Sequence, residues 1–499
     1  MKKIVYLPLD ERPCNAAFVP GLFDGGELRI VTPPELGDKK APAPWEAVRG
    51  FLLRECADAD GLVLSMDMLL YGGLLPSRLH RLDEAEAERH LELVAQLKAR
   101  NEGLLIYAFQ CIMRCPRYSS AEEEPDYYGE YGAQIHQLGS LRHRVRLGLC
   151  DGAELDALTA RVPADCLKDY TDRRAFNLRF NLRTLQLLRD GTLDFLVIPQ
   201  DDSAPYGFTA MDQQAVRSSM AELQLGARVL IYPGADEVGL TLTARMALHF
   251  AQMRPRVYVK YASGSAPAVI PLYEDRPLGE TVKYQLTAAG CRVATSLSEA
   301  DLVLALSCPG SDMREADEQP AAHPGYAVER TLPEFVLFLL DCLQEGKPVA
   351  LCDNAYANGG DLELLALLDQ CGLLPRLQGY AGWNTSSNSM GTAIAEGVHA
   401  LLAGMTPQHR SFLALRYVED MGYCGLVRGK VSREQLPQLG LTYQDVREAR
   451  GEVSALVRQE LEAFVRERMP AIAPHVAVSD AWMPWRRMFE VGLQVTWRP

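Results

Sequence analysis

Two pairs of adjacent carboxylic acids are the residues of this sequence best suited to do chemistry. Asp201-Asp202 and Asp236-Glu237 each follow a short apolar run. One carboxylate is enough to cap a helix or shape a turn, whereas two adjacent acids repel each other and raise each other's proton affinity. Such a pair can hold one acid protonated beside an ionised neighbour, which general acid catalysis requires. These four residues are therefore the candidate catalytic residues.

Glycoside hydrolysis is a reaction that such a pair can perform with few other groups. One acid protonates the leaving oxygen, and a second carboxylate helps to stabilise the oxocarbenium-like centre. When the sugar carries a 2-acetamido group, the carbonyl oxygen of that group can act as the nucleophile. The second carboxylate then orients the amide nitrogen, a task that adjacent residues at the end of a strand can share.

Polar and aromatic residues follow the other apolar runs at unusual density, and their chemistry suits a sugar. Arginines can form bidentate hydrogen bonds, aromatic rings can stack on a pyranose, and asparagines both donate and accept. Ligands of parallel α/β folds lie at the carboxyl ends of the strands. The candidate substrate-binding residues are Asp10, Glu11, Arg12, Asn15, Asp67, Tyr71, Arg78, Gln110, Arg114, Gln200, Tyr206, Asp353, Asn354, Asn358, Trp383 and Asn384. Trp383, which is flanked by polar residues, is expected at a pocket rim.

The same carboxylates leave other functions open. A metal-dependent hydrolase or lyase could bind Mg²⁺ or Mn²⁺ through Asp10, Asp67, Asp201, Asp202, Asp236, Glu237 and Asp353. Another carbohydrate-active enzyme, inverting or with a carboxylate nucleophile, and a two-lobed binding protein for a polar metabolite would use similar groups. None of the nine histidines directly follows a predicted strand, which disfavours zinc and a serine triad. No P-loop or dinucleotide fingerprint is present, and we expect neither a cofactor nor a resident metal.

Strands must position these residues, and the sequence alternates short apolar runs with amphipathic stretches. The helical stretches include Asp83–Arg100 and Phe176–Arg189. Alternation of this kind predicts parallel sheets. The predicted strands are Ile4–Leu9, Leu28–Val31, Gly61–Met66, Leu104–Phe109, Phe195–Pro199 and Val229–Tyr232, followed by Val257–Tyr261, Arg292–Ala294, Leu302–Leu306, Val349–Cys352 and Gln378–Tyr380.

Two α/β arrangements fit this order of elements. The favoured one has a (β/α)8-type barrel-like catalytic body in residues 1–255 and an additional α/β lobe in residues 256–400, whose last two strands can close the barrel. The other has two doubly wound lobes. In both, residues 401–499 form a C-terminal helical piece, because the stretch Tyr443–Arg468 is long and charged.

The amino-acid composition is that of a folded protein, and the charge argues against several classes of partner. Of the 499 residues, 48% are hydrophobic and 23% are charged, which is ordinary for a globular protein. The net charge is −14 without a run of basic residues, which argues against nucleic acid. No apolar stretch approaches the ~20 residues of a membrane span, and the first run is too short for a signal peptide. With its twelve cysteines scattered, the protein is expected in the cytoplasm with a small carbohydrate substrate and no membrane partner.

Short motifs around the two acidic pairs resemble known glycosidases. The segment Ile231–Val238 is similar to the strand-Gly-Gly-Asp-Glu-Val segment of family 20 β-N-acetylhexosaminidases, with an alanine in place of the second glycine. This resemblance implies that Asp236 holds the acetamido group and that Glu237 is the acid/base. Asp201-Asp202 resembles the Asp-Asp pair that O-GlcNAc-removing barrel enzymes use for the same roles.

On these grounds we expect a retaining β-N-acetylhexosaminidase-like enzyme that cleaves a β-linked 2-acetamido sugar by substrate assistance. Between the two pairs, Asp236-Glu237 is favoured over Asp201-Asp202. The glycine before the former lets the backbone approach a sugar ring, and glutamate reaches further than aspartate toward a leaving oxygen.

Three longer phrases resemble a bacterial family catalogued as domain of unknown function 4127. They are Pro8–Asn15, Tyr71–Arg78 and Gly382–Gly391. The resemblance spans nearly the whole chain, and it implies membership of that family without implying an activity.

Overall fold

The computed structural model describes residues 1–498 and has an α/β architecture built on parallel strands, as the sequence predicts. The strands are β1 (Lys2–Leu7), β2 (Leu28–Val31), β3 (Gly61–Ser65), β4 (Leu105–Phe109), β5 (Phe195–Gln200), β6 (Val229–Pro233), β7 (Arg256–Tyr261), β8 (Arg292–Val293), β9 (Leu302–Ser307), β10 (Arg314–Glu315), β11 (Val349–Asp353), β12 (Tyr356–Ala357), β13 (Gly379–Ala381), β14 (Val476–Trp482) and β15 (Gly492–Trp497).

Helices connect most of the parallel strands. They are α1 (Pro13–Ala16), α2 (Phe18–Phe23), α3 (Trp45–Glu55), α4 (Met66–Tyr71), α5 (Pro76–Leu79), α6 (Glu84–Arg100), α7 (Tyr128–Arg146), α8 (Ala153–Thr159), α9 (Ala164–Arg189), α10 (Phe208–Glu222), α11 (Val238–Phe250), α12 (Leu278–Ala288), α13 (Pro324–Ala327), α14 (Leu332–Gln344), α15 (Leu362–Gln370), α16 (Ser386–Ala403), α17 (Pro407–Arg416), α18 (Arg428–Glu434) and α19 (Glu452–Arg468). No helix within residues 1–498 combines the length and apolar composition that crossing a membrane requires.

The chain forms two compact units. The first comprises Met1–Glu11, Glu27–Gly239 and Tyr273–Asp275, and the second comprises Arg12–Gly26, Leu240–Leu272 and the described chain from Arg276 on. Compactness does not report which segments fold independently, so the three-part division into residues 1–255, 256–400 and 401–499 stays a prediction.

The first unit is built on a six-stranded parallel sheet with the order β2-β1-β3-β4-β5-β6. All residues of β3 and β5 are buried, which explains why these strands are continuous apolar runs. The chain moves to one side of β1 to form β2 and to the other side to form β3. In open sheets of this type, ligands bind outside the carboxyl ends of the strands near such a reversal.

The second unit is built on a five-stranded parallel sheet with the order β13-β11-β9-β7-β8. As in the first sheet, later strands are added on both sides of the first one. β8 lies on one side of β7, and β9 lies on the other. The C-terminal helices share a hydrophobic core with this sheet, which includes Leu351 from β11 and Leu461 from α19. The antiparallel pair β14–β15 packs into the same core.

The predicted barrel is not confirmed, because neither parallel sheet of residues 1–498 is closed. The strands expected to complete a barrel, β11 and β13, pair with β9 and with each other. A barrel and a doubly wound sheet share the same alternation of strands and helices, and only the strand order separates them. Here the order in both sheets is the doubly wound order.

Candidate active site

The first unit gathers several predicted site residues at the carboxyl ends of its strands. Asp67 lies in α4 just after β3, Gln110 follows β4, and Gln200 ends β5. The Asp67 carboxylate accepts a hydrogen bond from the backbone N–H of Cys111 at 2.8 Å. The backbone N–H of Gly234 donates to the carbonyl oxygen of Gln200 at 3.1 Å. These hydrogen bonds join neighbouring strand ends and hold their side chains at one edge of the sheet.

Arg78 is the first of two buried arginines that bind carboxylates at this edge. Its Nη1 lies 3.1 Å from Glu123 Oε2 and 3.4 Å from Glu124 Oε1. Its Nη2 lies 3.0 Å from Asp201 Oδ2. The guanidinium of Arg78 therefore holds three carboxylates, and its contact with substrate hydroxyls stays a prediction.

Arg114 binds the same carboxylates from a second direction. Its Nη2 lies 2.6 Å from Glu123 Oε2, and its Nε lies 2.8 Å from Glu124 Oε1. Its Nη1 lies 3.5 Å from Asp201 Oδ2 and 3.1 Å from Asp202 Oδ2. We call the resulting group of six side chains the acidic cluster: Arg78, Arg114, Glu123, Glu124, Asp201 and Asp202.

The acidic cluster is largely buried and contains more carboxylates than arginines, and both features favour protonation of an acid. If all four acids were ionised, two negative charges would remain without a counter-charge. Burial and the neighbouring carboxylate of Asp201 raise the pKa of Asp202 to about 7, against the opposing effect of Arg114. Asp202 can therefore gain and lose a proton near neutral pH.

The Asp201-Asp202 pair is also the open side of the cluster. The side chains of Asp201 and Asp202 are 23% and 20% exposed, whereas those of Arg78 and Glu124 are 2% and 1% exposed. The contacts of both aspartates with the arginines run through Oδ2. Neither Oδ1 atom has a hydrogen-bond or ion-pair partner among residues 1–498, so each is available to a ligand.

The loop after β5 turns sharply to present this pair. Asp202 has a φ of 45°, a left-handed conformation that aspartate adopts more readily than most residues. The following residue, Ser203, donates its backbone N–H to the carbonyl oxygen of Tyr273 at 3.0 Å. On the other side, Gln213 Nε2 donates to Gln200 Oε1 at 2.5 Å. Backbone strain of this kind often accompanies a functional site.

The second predicted pair, Asp236-Glu237, has a different environment. Glu237 is fully buried, and its Oε2 accepts a hydrogen bond from the backbone N–H of Ala235 at 3.0 Å. A side chain on Gly234 would place its Cβ 2.2 Å from Glu237 Oε1, so the glutamate folds back over the glycine. Gly234 has a φ of 119°, which glycine adopts without strain. This glycine makes room for Glu237 itself, and the role of the pair as acid and amide holder stays a prediction.

The remaining predicted residues of the first unit are buried or held by neighbours, with one exception. Asp10 is buried, and Glu11 Oε1 accepts from the backbone N–H of Lys39 at 2.6 Å. Tyr71 is 4% exposed and stacks on His80 with ring centroids 4.6 Å apart. The imidazole of His80 therefore covers one of the ring faces predicted to stack on a sugar. Tyr206 is 41% exposed, which keeps its ring accessible.

In the second unit, Asp353 lies at the end of β11 in a buried network. Its Oδ2 accepts from the backbone N–H of Asp361 at 2.7 Å and from the Tyr380 hydroxyl at 3.0 Å. Burial and the charge of Asp361 raise the pKa of Asp353 to about 7. Asp420, which accepts from the backbone N–H of Gly382 at 2.8 Å, has its pKa raised to about 8, chiefly by burial. Asp353 and Asp420 are only 1% and 0% exposed, which suits a structural role.

Arg12, Asn354 and Asn358 of the second unit differ in what their side chains contact. The guanidinium of Arg12 lies 4.7 Å from the Trp485 ring centroid. Asn358 Nδ2 donates to Glu315 Oε2 at 2.8 Å, and Asn354 Nδ2 is buried without a hydrogen-bond partner among residues 1–498.

Trp383 differs from the sequence expectation of a pocket rim, because it is only 7% exposed. Its Nε1 donates to Thr392 Oγ1 at 3.2 Å, and its ring meets the edge of Phe18 at 5.8 Å. The backbone carbonyl of Asn384 accepts from Asn358 N–H at 2.7 Å, and Asn15 is buried. Trp383 is thus a core residue of its unit.

Sequence reasoning missed the two glutamates of the acidic cluster. Glu123 and Glu124 lie in the long connection between β4 and α7, far in sequence from any strand end. The available signal was the run of three glutamates that ends at Glu124, directly before Pro125. Of the predicted residues, the structure joins Arg78, Arg114, Asp201 and Asp202 in one set of contacts.

Within residues 1–498, no three His, Cys, Asp or Glu side chains converge in an arrangement suited to a metal ion. A comparison with curated proteins finds no match. A family model described as "Protein of unknown function (DUF4127)" matches residues 4–494. This span includes all three phrases that carry the resemblance noted in the sequence. The chain is a member of the DUF4127 family.

Proposed function

We propose that this protein is a retaining glycosidase that cleaves a β-linked 2-acetamido sugar, with Asp202 as the general acid and Asp201 as the residue that orients the acetamido group. The observation that carries the proposal is a pair of adjacent, partly exposed carboxyls that are held by arginines through Oδ2 and leave both Oδ1 atoms to a ligand. Asp201 is held by two guanidinium groups, and the pKa of Asp202 is raised to about 7. A carboxyl with a raised pKa beside a second carboxyl suits a general acid and its partner.

The first half of the proposed reaction breaks the glycosidic bond. Asp201 Oδ1 accepts a hydrogen bond from the acetamido N–H, which directs the acetamido carbonyl oxygen at the anomeric carbon. As that oxygen forms its bond to the anomeric carbon, the bond to the leaving oxygen breaks. The proton of Asp202 moves to the leaving oxygen, so that a neutral alcohol departs.

The second half restores the enzyme. Ionised Asp202 removes a proton from a water molecule, and the water oxygen attacks the anomeric carbon while the bond to the acetamido oxygen breaks. The two displacements together retain the configuration at that carbon. Arg78 and Arg114 act as positioning residues in this scheme, because their contacts with Oδ2 of Asp201 leave Oδ1 turned to the ligand.

This assignment prefers Asp201-Asp202 to the pair favoured from the sequence. A general acid has to reach the leaving oxygen. Glu237 is fully buried, and its carboxylate accepts a hydrogen bond from the backbone N–H of Ala235. The cytoplasm remains the proposed location, on the sequence grounds given above.

The direct test is hydrolysis of 4-nitrophenyl N-acetyl-β-D-glucosaminide and galactosaminide in the presence and absence of EDTA. We expect activity that survives chelation, because the acetamido oxygen and the two aspartates supply all reacting groups. The matching 4-nitrophenyl β-D-glucoside, which lacks the acetamido group, should react far more slowly. Loss of activity with EDTA that Mg²⁺ or Mn²⁺ restores would instead support the metal-dependent alternative.

The dependence of the rate on pH follows from the raised pKa of Asp202. Asp202 must be protonated to act as the acid, so kcat/KM should fall as the pH rises through about 7. Because the two carboxyls are adjacent, the full profile should be a bell whose two limbs belong to the pair jointly. Initial rates from pH 4 to 9 measure it, and a rate that keeps rising to alkaline pH would contradict the assignment.

A further inference from the structure

Two adjoining depressions lie on the first unit, and no side chain of the acidic cluster lines either of them. The first is a cavity of about 440 Å³ between α3, the segment from α4 to α5, and α6. The second is a groove of about 470 Å³ along α9, from Asp169 to Arg179. The three consecutive residues His80–Leu82 line both. The proposed glycosidase function therefore accounts for neither depression.

The wall of the cavity is mostly apolar and includes Val48 and Leu79. Its charged side chains are Lys40, Arg81 and Glu86. The amino group of Lys40 donates to two backbone carbonyl oxygens, at 2.6 and 3.2 Å. A cavity of this volume, with apolar walls and a few polar groups, is typical of small-molecule sites.

The two carboxylates of the groove are already paired. The guanidinium of Arg173 binds both oxygens of Asp169, each at 2.8 Å. Asp172 forms an ion pair with Lys168, one helical turn before it on α9. Neither acid therefore leaves a net negative charge in the groove.

Two arginines of the groove wall remain without a carboxylate. Arg81 and Arg179 are exposed, and neither forms an ion pair among residues 1–498. The pKa of Asp169 is lowered against the effect of burial, chiefly by Arg173 and in part by the charge of Arg81. Arg81 is thus close to a carboxylate whose two oxygens Arg173 already holds. In a chain with a net charge of −14, two unpaired cations at one groove favour an anionic ligand.

Helix α9 holds in place the segment that lines both depressions. Arg173, whose side chain is 7% exposed, donates from Nε to the carbonyl oxygen of His80 at 3.1 Å. His80 Nε2 pairs with Asn177 Oδ1 at 2.8 Å, and His80 Nδ1 accepts from the backbone N–H of Leu82 at 3.3 Å. Arg81 lies between these two fixed residues, so its backbone is in position before a ligand arrives. Such preorganisation lowers the entropic cost of binding.

We propose that the cavity and the groove form one binding site for a small amphipathic carboxylate, whose apolar chain lies in the cavity and whose carboxylate pairs with Arg81 and Arg179. The apolar walls remove the chain from water, which is a favourable contribution to binding. The arginines select the charged end, because a guanidinium can bind a carboxylate through two hydrogen bonds. Glu86 lines the cavity and not the groove, so its charge favours the orientation with the carboxylate in the groove.

The test compares octanoate with 1-octanol, which differ in the charge of the polar end, by ligand-observed NMR titration of the full chain at pH 7.5 and low salt. We expect octanoate to bind more tightly than 1-octanol. Acetate, which lacks the chain, should not bind at the same concentration. The double variant Arg81→Gln/Arg179→Gln should weaken octanoate by about 3- to 10-fold, the loss of two exposed ion pairs, and should leave 1-octanol unchanged.

The double variant Arg100→Gln/Arg189→Gln is the matched control. It removes two exposed arginines of the same unit that line neither depression, so the net charge changes by the same amount. It should affect neither ligand. Equal weakening of octanoate in the two double variants would mean that only the overall charge matters, and it would overturn the proposal.

A cavity variant tests the apolar end of the ligand. Leu79→Trp places a large side chain in the cavity and should weaken both octanoate and 1-octanol, while circular dichroism stays that of the native protein. Failure of octanoate to bind at 3 mM, equal affinities for octanoate and 1-octanol, or unchanged binding of octanoate by Leu79→Trp would contradict the proposal. Glycosidase activity is not part of the readout, so the two proposals fail independently.

Discussion

Replacing Asp202 with Asn is expected to slow the hydrolysis of N,N′-diacetylchitobiose by about 10²- to 10⁴-fold, the usual contribution of a general acid. The sugar leaving group of this substrate is a poor one and needs a proton as it departs. Asparagine keeps the shape of the side chain and the contact with Arg114, but it cannot donate that proton as an acid. Initial rates at pH 6, where wild-type Asp202 is protonated, measure the effect.

The leaving group separates a lost acid from a damaged site. A 2,4-dinitrophenyl leaving group departs with little protonation, so Asp202→Asn should slow the corresponding N-acetyl-β-glucosaminide far less than the disaccharide. Asp201→Asn should slow both substrates alike, since orientation of the acetamido group precedes departure of either leaving group. The alkaline limb of the pH profile should also disappear in Asp202→Asn and persist in Asp201→Asn.

Glu237→Gln is the matched control, because it removes the other candidate acid by the same isosteric change. With Asp202 as the acid, this variant should keep the same ratio of rates on the two substrates as the wild type. If Glu237→Gln shows the dependence on the leaving group and Asp202→Asn does not, the assignment is reversed. Asp236-Glu237 would then be the catalytic pair, as the sequence motif suggested.

The central strands of both sheets could be predicted from sequence because they are buried on both faces. The runs of β3 and β9 are apolar up to a terminal serine, and all their residues are buried. Their lateral order could not be predicted, because it depends on which edges meet in three dimensions. That order distinguishes the doubly wound sheets from the expected barrel.

The C-terminal hairpin shows a local signal that was overlooked. The sequence predicts a helical piece for residues 401–499, yet Val476–Trp482 and Gly492–Trp497 form paired strands. Apolar and polar residues alternate along Gly492–Trp497, which is the period of a strand with one buried face. Gly492 lies opposite Trp482, and a Cβ there would fall 1.9 Å from the indole, so the cross-strand neighbour requires glycine.

Part of the candidate site could be predicted from the types of residue near the ends of strands. Asp201 and Asp202 directly follow β5, and Arg78 and Arg114 lie in the connections after β3 and β4. Residue types at these places predict a site, but not that the arginines bind the carboxylates. The choice between the two acidic pairs was not predictable, because it depends on burial and on the backbone of Gly234. A glycine before an acidic pair suits a close ligand and an inward-folded glutamate equally well.

Replacing Arg114 with Gln is expected to destabilise the protein strongly at pH 8. Arg114 contacts all four acids of the cluster, and its removal leaves Arg78 as the one cation of the cluster. Breaking a buried ion pair in this way typically costs about 3–5 kcal/mol, because the remaining charges stay buried without compensation. Urea unfolding followed by circular dichroism should show a clearly lower midpoint than that of the wild type.

The loss of stability in Arg114→Gln should shrink at pH 5. Arg114 lowers the pKa of Asp202, so without the guanidinium that pKa rises further above its unfolded value, and an acid with a raised pKa destabilises the folded state as it ionises. The deficit should therefore grow as the pH rises from 5 to 8. Arg144→Gln, at an exposed arginine of the same unit, should leave the midpoint nearly unchanged at both pH values. If the loss of stability in Arg114→Gln is the same at pH 5 and pH 8, Arg114 stabilises the unit by packing. The excess negative charge of the cluster then does not govern the protonation of Asp202.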